Sequence, residues 1–292
     1  MIWISDGWKD YEVLDTSNGE RLERWGKYIL VRPDPQVIWN TPHNAKEWKN
    51  FDAKYIRSNT GGGRWTEHDL PERWQIKYKD YLTFNVKPMN FKHTGVFPEQ
   101  AANWDFIREK VAGAAKERPV RVLNLFAYSG GATLAAAAGG AEVFHVDASK
   151  GMVAWAKENA QASGLADRKI HWIVDDCAKF IQREIRRGRK YDGIIMDPPS
   201  YGRGPSGEIW KMETSFYPFL QETVKLLSDD PLFVIINSYT TGLAPSAVSY
   251  AADVVFGEKY GGKCVAGELG LPVKSSGLML PCGATGRWTP EK

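Results

Sequence analysis

Cysteine is scarce in this sequence: Cys177, Cys264 and Cys282 are the only three in 292 residues, an odd number with no CxxC spacing. A disulfide framework is excluded on that count, and the five histidines (His43, His68, His93, His145, His171) contain no HxxxH pair to suggest a zinc site. No metal is expected. Nor does any window approach the roughly 18 consecutive apolar residues that a membrane-spanning helix requires. Charge of one sign is also lacking, since 38 Lys and Arg face 35 Asp and Glu for a net charge of +3. That balance permits a polyanionic partner but is no strong nucleic-acid signature. The first residues, Met1-Ile-Trp-Ile-Ser-Asp6, show neither the basic nor the apolar region of a secretory signal, so a cytoplasmic location is the expectation. What is present, 43% hydrophobic and 25% charged residues, fits a soluble globular chain. The length suits one large domain, or one domain with a smaller module.

From about Arg118 the pattern alternates. Val120–Phe126, Ala141–Val146, Ile170–Val174, Tyr191–Met196 and Leu232–Ile236 are apolar, β-branched-rich runs. Between them Ala132–Ala138, Lys150–Ala162, Ala178–Arg187 and Glu213–Leu227 carry apolar residues at three- and four-residue steps. Strands alternating with helices predict a parallel sheet with right-handed crossovers. After a helical stretch at Ala247–Val255, Cys264–Leu271 and Gly277–Cys282 leave no room for a helix between them and read as an antiparallel pair. The expected fold class is therefore α/β, a doubly wound, seven-stranded, mostly parallel Rossmann-like sheet over residues 96–292.

Residues 1–95 read as a small β-rich module, with strand candidates at Glu12–Leu14, Tyr28–Val31 and Tyr81–Val86, and turn signals at Ser17-Asn-Gly19 and Arg32-Pro-Asp-Pro35. Gly61-Gly-Gly63 reads as a loop. Seven of the twelve tryptophans fall in this third, at positions 3, 8, 25, 39, 48, 65 and 74. They either build a small core or, exposed among Lys and Arg, form a stacking platform for unpaired bases.

Four strand ends carry chemistry. Leu123-Asn-Leu-Phe-Ala-Tyr-Ser-Gly-Gly-Ala-Thr133 is a buried strand entering a small-residue turn and then a helix, where Gly130 and Gly131 allow close backbone approach to a ligand. It is not GxGxxG, so a pyrophosphate cradle, and with it a nicotinamide-dependent oxidoreductase, is poorly supported. Val146-Asp147-Ala-Ser149 places a carboxylate at the tip of the next strand, where doubly wound sheets bind ribose hydroxyls, although Asp147 could instead cap the following helix. Asp175-Asp176-Cys177 ends the third strand, offering an acceptor for an adenine amino group or a helix cap. The sharpest signal is Asp197-Pro-Pro-Ser-Tyr-Gly-Arg-Gly204. Two prolines remove two backbone donors and hold the chain extended, so that Asp197 and strand carbonyls can face a planar substrate with Tyr201 alongside.

On these residues, together with His93-Thr-Gly-Val-Phe-Pro-Glu-Gln100, the chain from about Lys92 resembles the class I S-adenosylmethionine-dependent methyltransferases. Within that class it is most similar to the bacterial 23S ribosomal RNA group that makes 5-methylcytosine or 7-methylguanine. The resemblance implies S-adenosyl-L-methionine as cofactor and ribosomal RNA as partner. It places Phe97 and Gln100 beside the cofactor and wraps the segment Phe126, Ala127, Tyr128, Ser129, Gly130 and Gly131 around its methionine part. It puts Asp147, Ala148 and Ser149 at the ribose, and Asp175, Asp176 and Cys177 at the adenine. Asp197, Pro198, Pro199 and Tyr201 become the catalytic, substrate-side residues, with Asp197 also touching the cofactor.

Two departures matter. The family segment Phe-Leu-Asp-Gln-Arg here reads Phe97-Pro-Glu-Gln-Ala101, without the arginine. Cytosine C5 methylation needs a cysteine thiolate to add to the ring first. The segments after the fourth and fifth strands, Pro199-Ser-Tyr-Gly-Arg203 and Ile236-Asn-Ser-Tyr-Thr-Thr-Gly242, contain no cysteine. The expectation is thus methylation of RNA at a nitrogen without a covalent intermediate, with a protein side chain or small molecule as the alternative substrate. A basic cluster, Arg183, Arg186, Arg187, Arg189 and Lys190, reads as a solvated helix end or a phosphate contact.

Overall fold

The computed structural model describes residues 1–43, 45–58, 62–66, 69–203 and 209–291. Gly61, His68 and Gly204, which belong to patterns read above, lie outside the described residues. The chain divides into two compact units, Ile4–Ala102 with Gly270–Cys282, and Met1–Trp3 with Asn103–Leu269 and Gly283–Lys292.

In the first unit Tyr11–Ser17, Glu20–Trp25, Tyr28–Pro33, Ala53–Arg57 and Gly63–Trp65 form a five-stranded sheet in chain order, and Trp74–Tyr78 pairs with Leu82–Val86. The first turn is Asn18-Gly19, both residues left-handed (φ 51° and 77°), a geometry whose twist matches antiparallel neighbours. The tryptophans here serve the fold. Trp25 is fully buried, and none of the six tryptophans of this unit is classed as exposed. The indole N–H groups of Trp8, Trp39, Trp48, Trp65 and Trp74 donate to Pro98, Thr16, Asp15, Met89 and Trp25 respectively. A tryptophan stacking platform is therefore not what this sheet presents. Buried Glu23 accepts from Arg32 at 2.6 Å and from the Tyr11 hydroxyl at 2.6 Å. Burial raises its pKa, but Arg21 and Arg32 outweigh that and bring it to about 2.

The second unit is built on an α/β sheet of β1 (Arg121–Leu125), β2 (Glu142–Asp147), β3 (Ile170–Val174), β4 (Gly193–Met196), β5 (Phe233–Ser238), β6 (Lys263–Pro272) and β7 (Met279–Thr289). The helices are α1 (Ala101–Ala114), α2 (Gly131–Gly139), α3 (Lys150–Ala162), α4 (Cys177–Arg186), α5 (Met212–Thr223) and α6 (Pro245–Ala252). The strand order is Ile2–Ile4, β6, β7, β5, β4, β1, β2, β3. Neighbours from β3 to β5 are parallel, and β7 is antiparallel to β5 with Val234 opposite Trp288. The doubly wound, mostly parallel class is as expected, but the sheet has eight strands rather than seven. The extra edge strand is Ile2–Ile4, tied on through the Glu268 N–H donating to the Met1 carbonyl at 3.0 Å.

The uninterrupted apolar runs of β1, β4 and β5 are explained by full burial of Leu123, Leu125, Ile194, Met196, Val234 and Ile236 against Phe180, Phe219 and Leu220. Strand order reverses at β1, which lies between β4 and β2. Their carboxyl ends are thus the switch point at which open sheets hold ligands. Among the described residues no helix is long and apolar enough to cross a membrane.

Candidate active site

The turn leaving β1 is held by unusual backbone. Phe126 and Tyr128 are left-handed (φ 56° and 49°), as is Gly130 (φ 93°), a conformation costly for residues with a side chain and concentrated at functional sites. Hydrogen bonds over-determine it: the Ala127 N–H donates to the Val146 carbonyl at 3.1 Å and the Gly130 N–H to the Ala127 carbonyl at 3.0 Å. The amide of Asn159 on α3 donates to the Ser129 carbonyl at 2.9 Å. At Gly131 a Cβ would lie 2.5 Å from the Trp104 ring, so glycine is required for α2 to begin there.

Below the turn, Thr133 Oγ1 accepts from Asn124 at 2.9 Å and sits 2.9 Å from His145 Nδ1. Burial alone pushes the His145 pKa down to about 3, so this ring is neutral. Ser129 is 2% exposed, and the Phe126 ring packs on Trp210 and Phe219 at 5.5 and 5.6 Å. What Ser129 can give a ligand is therefore main chain.

At the tip of β2 the Asp147 carboxylate is oriented by two amides, accepting from Tyr128 N–H at 2.8 Å and from Ser149 N–H at 2.8 Å, one on each oxygen. Burial raises its pKa and these two bonds partly oppose the rise. The helix cap is Ser149, whose hydroxyl accepts from the Met152 N–H. Asp147 is thus not the cap of α3. Each of its oxygens keeps lone-pair capacity for a hydroxyl donor. Ala148 and Ser149 are exposed beside it.

At the third tip, Asp176 is the N-cap of α4, accepting from the Lys179 N–H at 2.9 Å. Asp175 accepts from the Asp176 N–H at 2.9 Å and forms an ion pair with Arg183. Cys177 is 3% exposed, its Sγ accepts from the Phe126 N–H at 3.3 Å, and burial pushes its thiol far up. Its side chain belongs to the core, so only its backbone can serve a cofactor.

At the end of β4 the Asp197 N–H donates to the Leu125 carbonyl at 3.4 Å, stitching the two central tips together. Pro198 is buried, while Pro199, Ser200 and Tyr201 are exposed, Tyr201 by 51%. The prolines do not end in a loop. Tyr201–Arg203 pairs antiparallel with Ile209–Lys211, a hairpin absent from the sequence reading. Its Trp210 indole donates to the Pro199 carbonyl at 2.6 Å, and the Met212 N–H donates to the Ser200 carbonyl at 3.1 Å. These two carbonyls are committed within the fold.

Phe97 and Gln100 belong to the first unit, where Phe97 caps a short 3-10 turn, Pro98–Gln100, that leads into α1. Within the basic cluster Arg187 pairs with Glu184 and Lys190 donates to the Lys225 carbonyl, whereas Arg186 is exposed. Asn159, Trp104 and Trp210 are the site residues the sequence reading missed. For Asn159 a signal existed, a polar residue on the stripe Val153, Ala156, Asn159 and Ala160 of α3 that is otherwise apolar and buried.

A glycine turn at β1, an amide-oriented carboxylate at β2 and an aspartate with two prolines at β4, all around a switch point, define a nucleoside-cofactor enzyme of the Rossmann-like class. A bidentate acceptor fixed by two N–H groups fits the ribose diol of such a cofactor. The comparisons specify which class member. The family described as S-adenosylmethionine-dependent methyltransferase matches residues 23–230. The chain is similar to the ribosomal RNA large subunit methyltransferase K/L of Shewanella frigidimarina, with 31% identity over 171 residues, 58% of this chain and 22% of that protein. It is also similar to the ribosomal RNA large subunit methyltransferase K of Neisseria meningitidis serogroup B, with 31% identity over 169 residues, 57% of this chain and 46% of that protein. The chain thus spans less than half the length of these two curated relatives. The crystal structure of a SAM-dependent methyltransferase from Agrobacterium tumefaciens superimposes with a TM-score of 0.93 at 37% identity, over 100% of this chain and 94% of that one. The chain belongs to the S-adenosylmethionine-dependent methyltransferase family, and S-adenosyl-L-methionine is its methyl donor.

Proposed function

We propose that this methyltransferase acts on RNA in the cytoplasm, with large-subunit ribosomal RNA as the substrate, and that it methylates a base nitrogen without a covalent enzyme–substrate intermediate. The RNA substrate is supported by the names of the relatives. The nitrogen target rests on one observation. All three thiols sit in surroundings that disfavour thiolate, desolvation raising Cys264 to about 12 and both Cys177 and Cys282 well above the ordinary thiol value. Among the described residues no cysteine follows β4 or β5 where a ring-attacking thiolate would be needed.

In this reading the cofactor supplies an electrophilic methyl group. Asp147 binds the ribose hydroxyls, and the turn from Phe126 to Gly131 lies along the methionine part. Asp175, Asp176 and the Cys177 backbone bound the adenine. Asp197 accepts a hydrogen bond from the attacking amino group, keeps its lone pair directed at the methyl carbon, and offsets the positive charge that grows on nitrogen. Pro198 and Pro199 hold that carboxylate on a stiff segment, and Tyr201 packs on the planar base. Holding donor and acceptor near about 3 Å and aligned supplies most of the rate gain.

A second reading, a protein side chain or a small molecule as acceptor, is favoured by the tryptophans of the first unit, none of which is exposed to stack on bases. The discriminating experiment supplies purified enzyme with methyl-labelled donor and total RNA, followed by nucleoside mass spectrometry. The expected product is a base-N-methylated nucleoside. A 5-methylcytosine product overturns the cysteine argument, and label confined to protein or small molecules overturns the RNA reading.

A further inference from the structure

Three buried polar side chains meet beneath the turn after β1. Asn124 on β1 and His145 on β2 stand directly opposite each other in the parallel register, and Thr133 reaches them from the first turn of α2. Their exposures are 3%, 0% and 0%, so none of them can touch a ligand at the surface. The Asn124 amide donates to Thr133 Oγ1 at 2.9 Å, and that oxygen lies 2.9 Å from His145 Nδ1. The pattern assigns the tautomer. Because Oγ1 already accepts from Asn124, its single proton goes to Nδ1, and the neutral ring carries its own proton on Nε2.

Nε2 is buried and has no hydrogen-bond partner among the described residues. An unpaired buried N–H is costly, and aliphatic side chains would fill the same space without that cost. What the relay adds is direction. Asp147 lies two residues beyond His145, on the same face of β2, and accepts from the Tyr128 N–H at 2.8 Å. One strand thus grips the segment at two points, the turn through Asp147 and the start of α2 through His145. Between them the imidazole edge lies under Gly130, where a Cβ would stand 3.8 Å from His145 Cε1 and 3.0 Å from the Ala156 Cβ on α3. The left-handed residues Phe126, Tyr128 and Gly130 all fall between Asn124 and Thr133, the two residues that the relay joins.

We propose that Asn124, Thr133 and His145 are positioning residues for the methyl donor, their hydrogen-bond relay holding the turn from Phe126 to Gly131 in its left-handed form before the donor arrives. The inference rests on the placement, proposed above, of the donor's methionine part along that turn. The three residues act through the backbone of the turn. Left-handed backbone at residues with a side chain persists only where the surroundings over-determine it, and the relay is the part of those surroundings that reaches α2. A turn that must first be organised binds with an apparent affinity reduced by the fraction of molecules holding the competent form. Preforming it removes that loss.

The test uses the full chain, with S-adenosylhomocysteine affinity read by calorimetry and amide hydrogen exchange read on the peptide that covers the turn. Thr133→Val keeps the shape of the side chain and removes the hydroxyl, and it should weaken binding about tenfold and speed exchange of the ligand-free turn. His145→Leu should do the same from the other end of the relay, whereas Thr133→Ser restores the hydroxyl and should return affinity close to that of the wild type. Val248→Ala, a truncation of a fully buried side chain on α6, should lower the unfolding temperature and leave both readings unchanged. If Thr133→Val and His145→Leu are less stable yet bind S-adenosylhomocysteine as the wild type does, the relay serves the fold alone and the proposal is wrong. The wild type supplies a test that needs no variant. The Ala127 and Gly130 amides, which donate to Val146 and Ala127, should exchange slowly without ligand, and fast exchange there that slows only on binding overturns the proposal. If S-adenosylhomocysteine binds and leaves exchange at the turn unchanged, the placement of the donor fails and the proposal fails with it.

Discussion

The main-chain N–H of Tyr128 donates to the Asp147 carboxylate at 2.8 Å, which ties the left-handed turn after β1 to the tip of β2. In the function proposed above, the turn lies along the methionine part of the cofactor and Asp147 at its ribose, so the bond would set their relative geometry. Asp147→Asn removes the charge and one acceptor from this arrangement. Loss of charge-assisted hydrogen bonds worth about 1.5–3 kcal/mol should weaken S-adenosylhomocysteine binding roughly 10- to 100-fold by calorimetry. The pH dependence has a definite sign. Burial raises the Asp147 pKa above 3.8, and in the proposed arrangement the ionised form accepts from the ribose hydroxyls. Affinity should therefore fall on acidification, starting at a pH above the usual aspartate range, and the Asn variant should lose that dependence.

In the proposed mechanism Asp197, although it also touches the cofactor, acts chiefly on the reacting amino group. Asp197→Ala should lower kcat by about 10²–10³-fold, the cost of losing one preorganised polar group at the transition state. S-Adenosylhomocysteine affinity, measured in parallel, should change by only a few-fold. A variant with full turnover removes Asp197 from the chemistry.

If no thiol adds to the substrate, the enzyme does not need any of its three. A variant carrying Cys177→Ala, Cys264→Ala and Cys282→Ala should keep methyl transfer to RNA. It should unfold at lower temperature, because Cys177 and Cys264 are buried in packed surroundings and each removed sulfur leaves a small void. Complete loss of transfer in a folded triple variant contradicts the mechanism.

Buried His145 should make the protein acid-labile at mild pH. Its folded pKa is about 3 against 6.5 in the unfolded chain. Between those values the unfolded state binds the extra proton, so stability is present above pH 6.5 and is lost as pH falls toward 3. The slope is up to about 1.4 kcal/mol per pH unit for one such group. His93, brought down to about 4 by burial first and then by nearby Arg32 and Lys92, acts in the same direction. Denaturant midpoints across pH 7 to 4 measure this, and His145→Gln should flatten the profile.

The central parallel strands were legible because they are buried on both faces and spell continuous apolar runs, while the partly exposed edge strand Ile170–Val174 and the helix Lys150–Ala162 have the ends that were read. The candidate tips of β1, β2 and β4 stand out in the sequence for a related reason, since an acid or glycine directly after such a run has no packing role to explain it. What escaped was set by tertiary context. Ile2–Ile4 is three residues long and becomes a strand only by borrowing the edge of β6. The last strand runs on to Thr289 through Pro281, Gly283 and Gly286, residues that break the expected alternation. The hairpin at Tyr201–Arg203 and Ile209–Lys211 is short, and nothing in its pattern announces that Trp210 closes back on Pro199.

The account depends on the methyl donor lying across the carboxyl tips of β1, β2 and β4 with its sugar on Asp147. A crystal structure of the protein with S-adenosylhomocysteine tests this most directly. The predicted result is density with both ribose hydroxyls within hydrogen-bond distance of the Asp147 carboxylate and the sulfur on the side of Asp197. A ribose bound away from Asp147, or a ligand seated elsewhere on the chain, contradicts it.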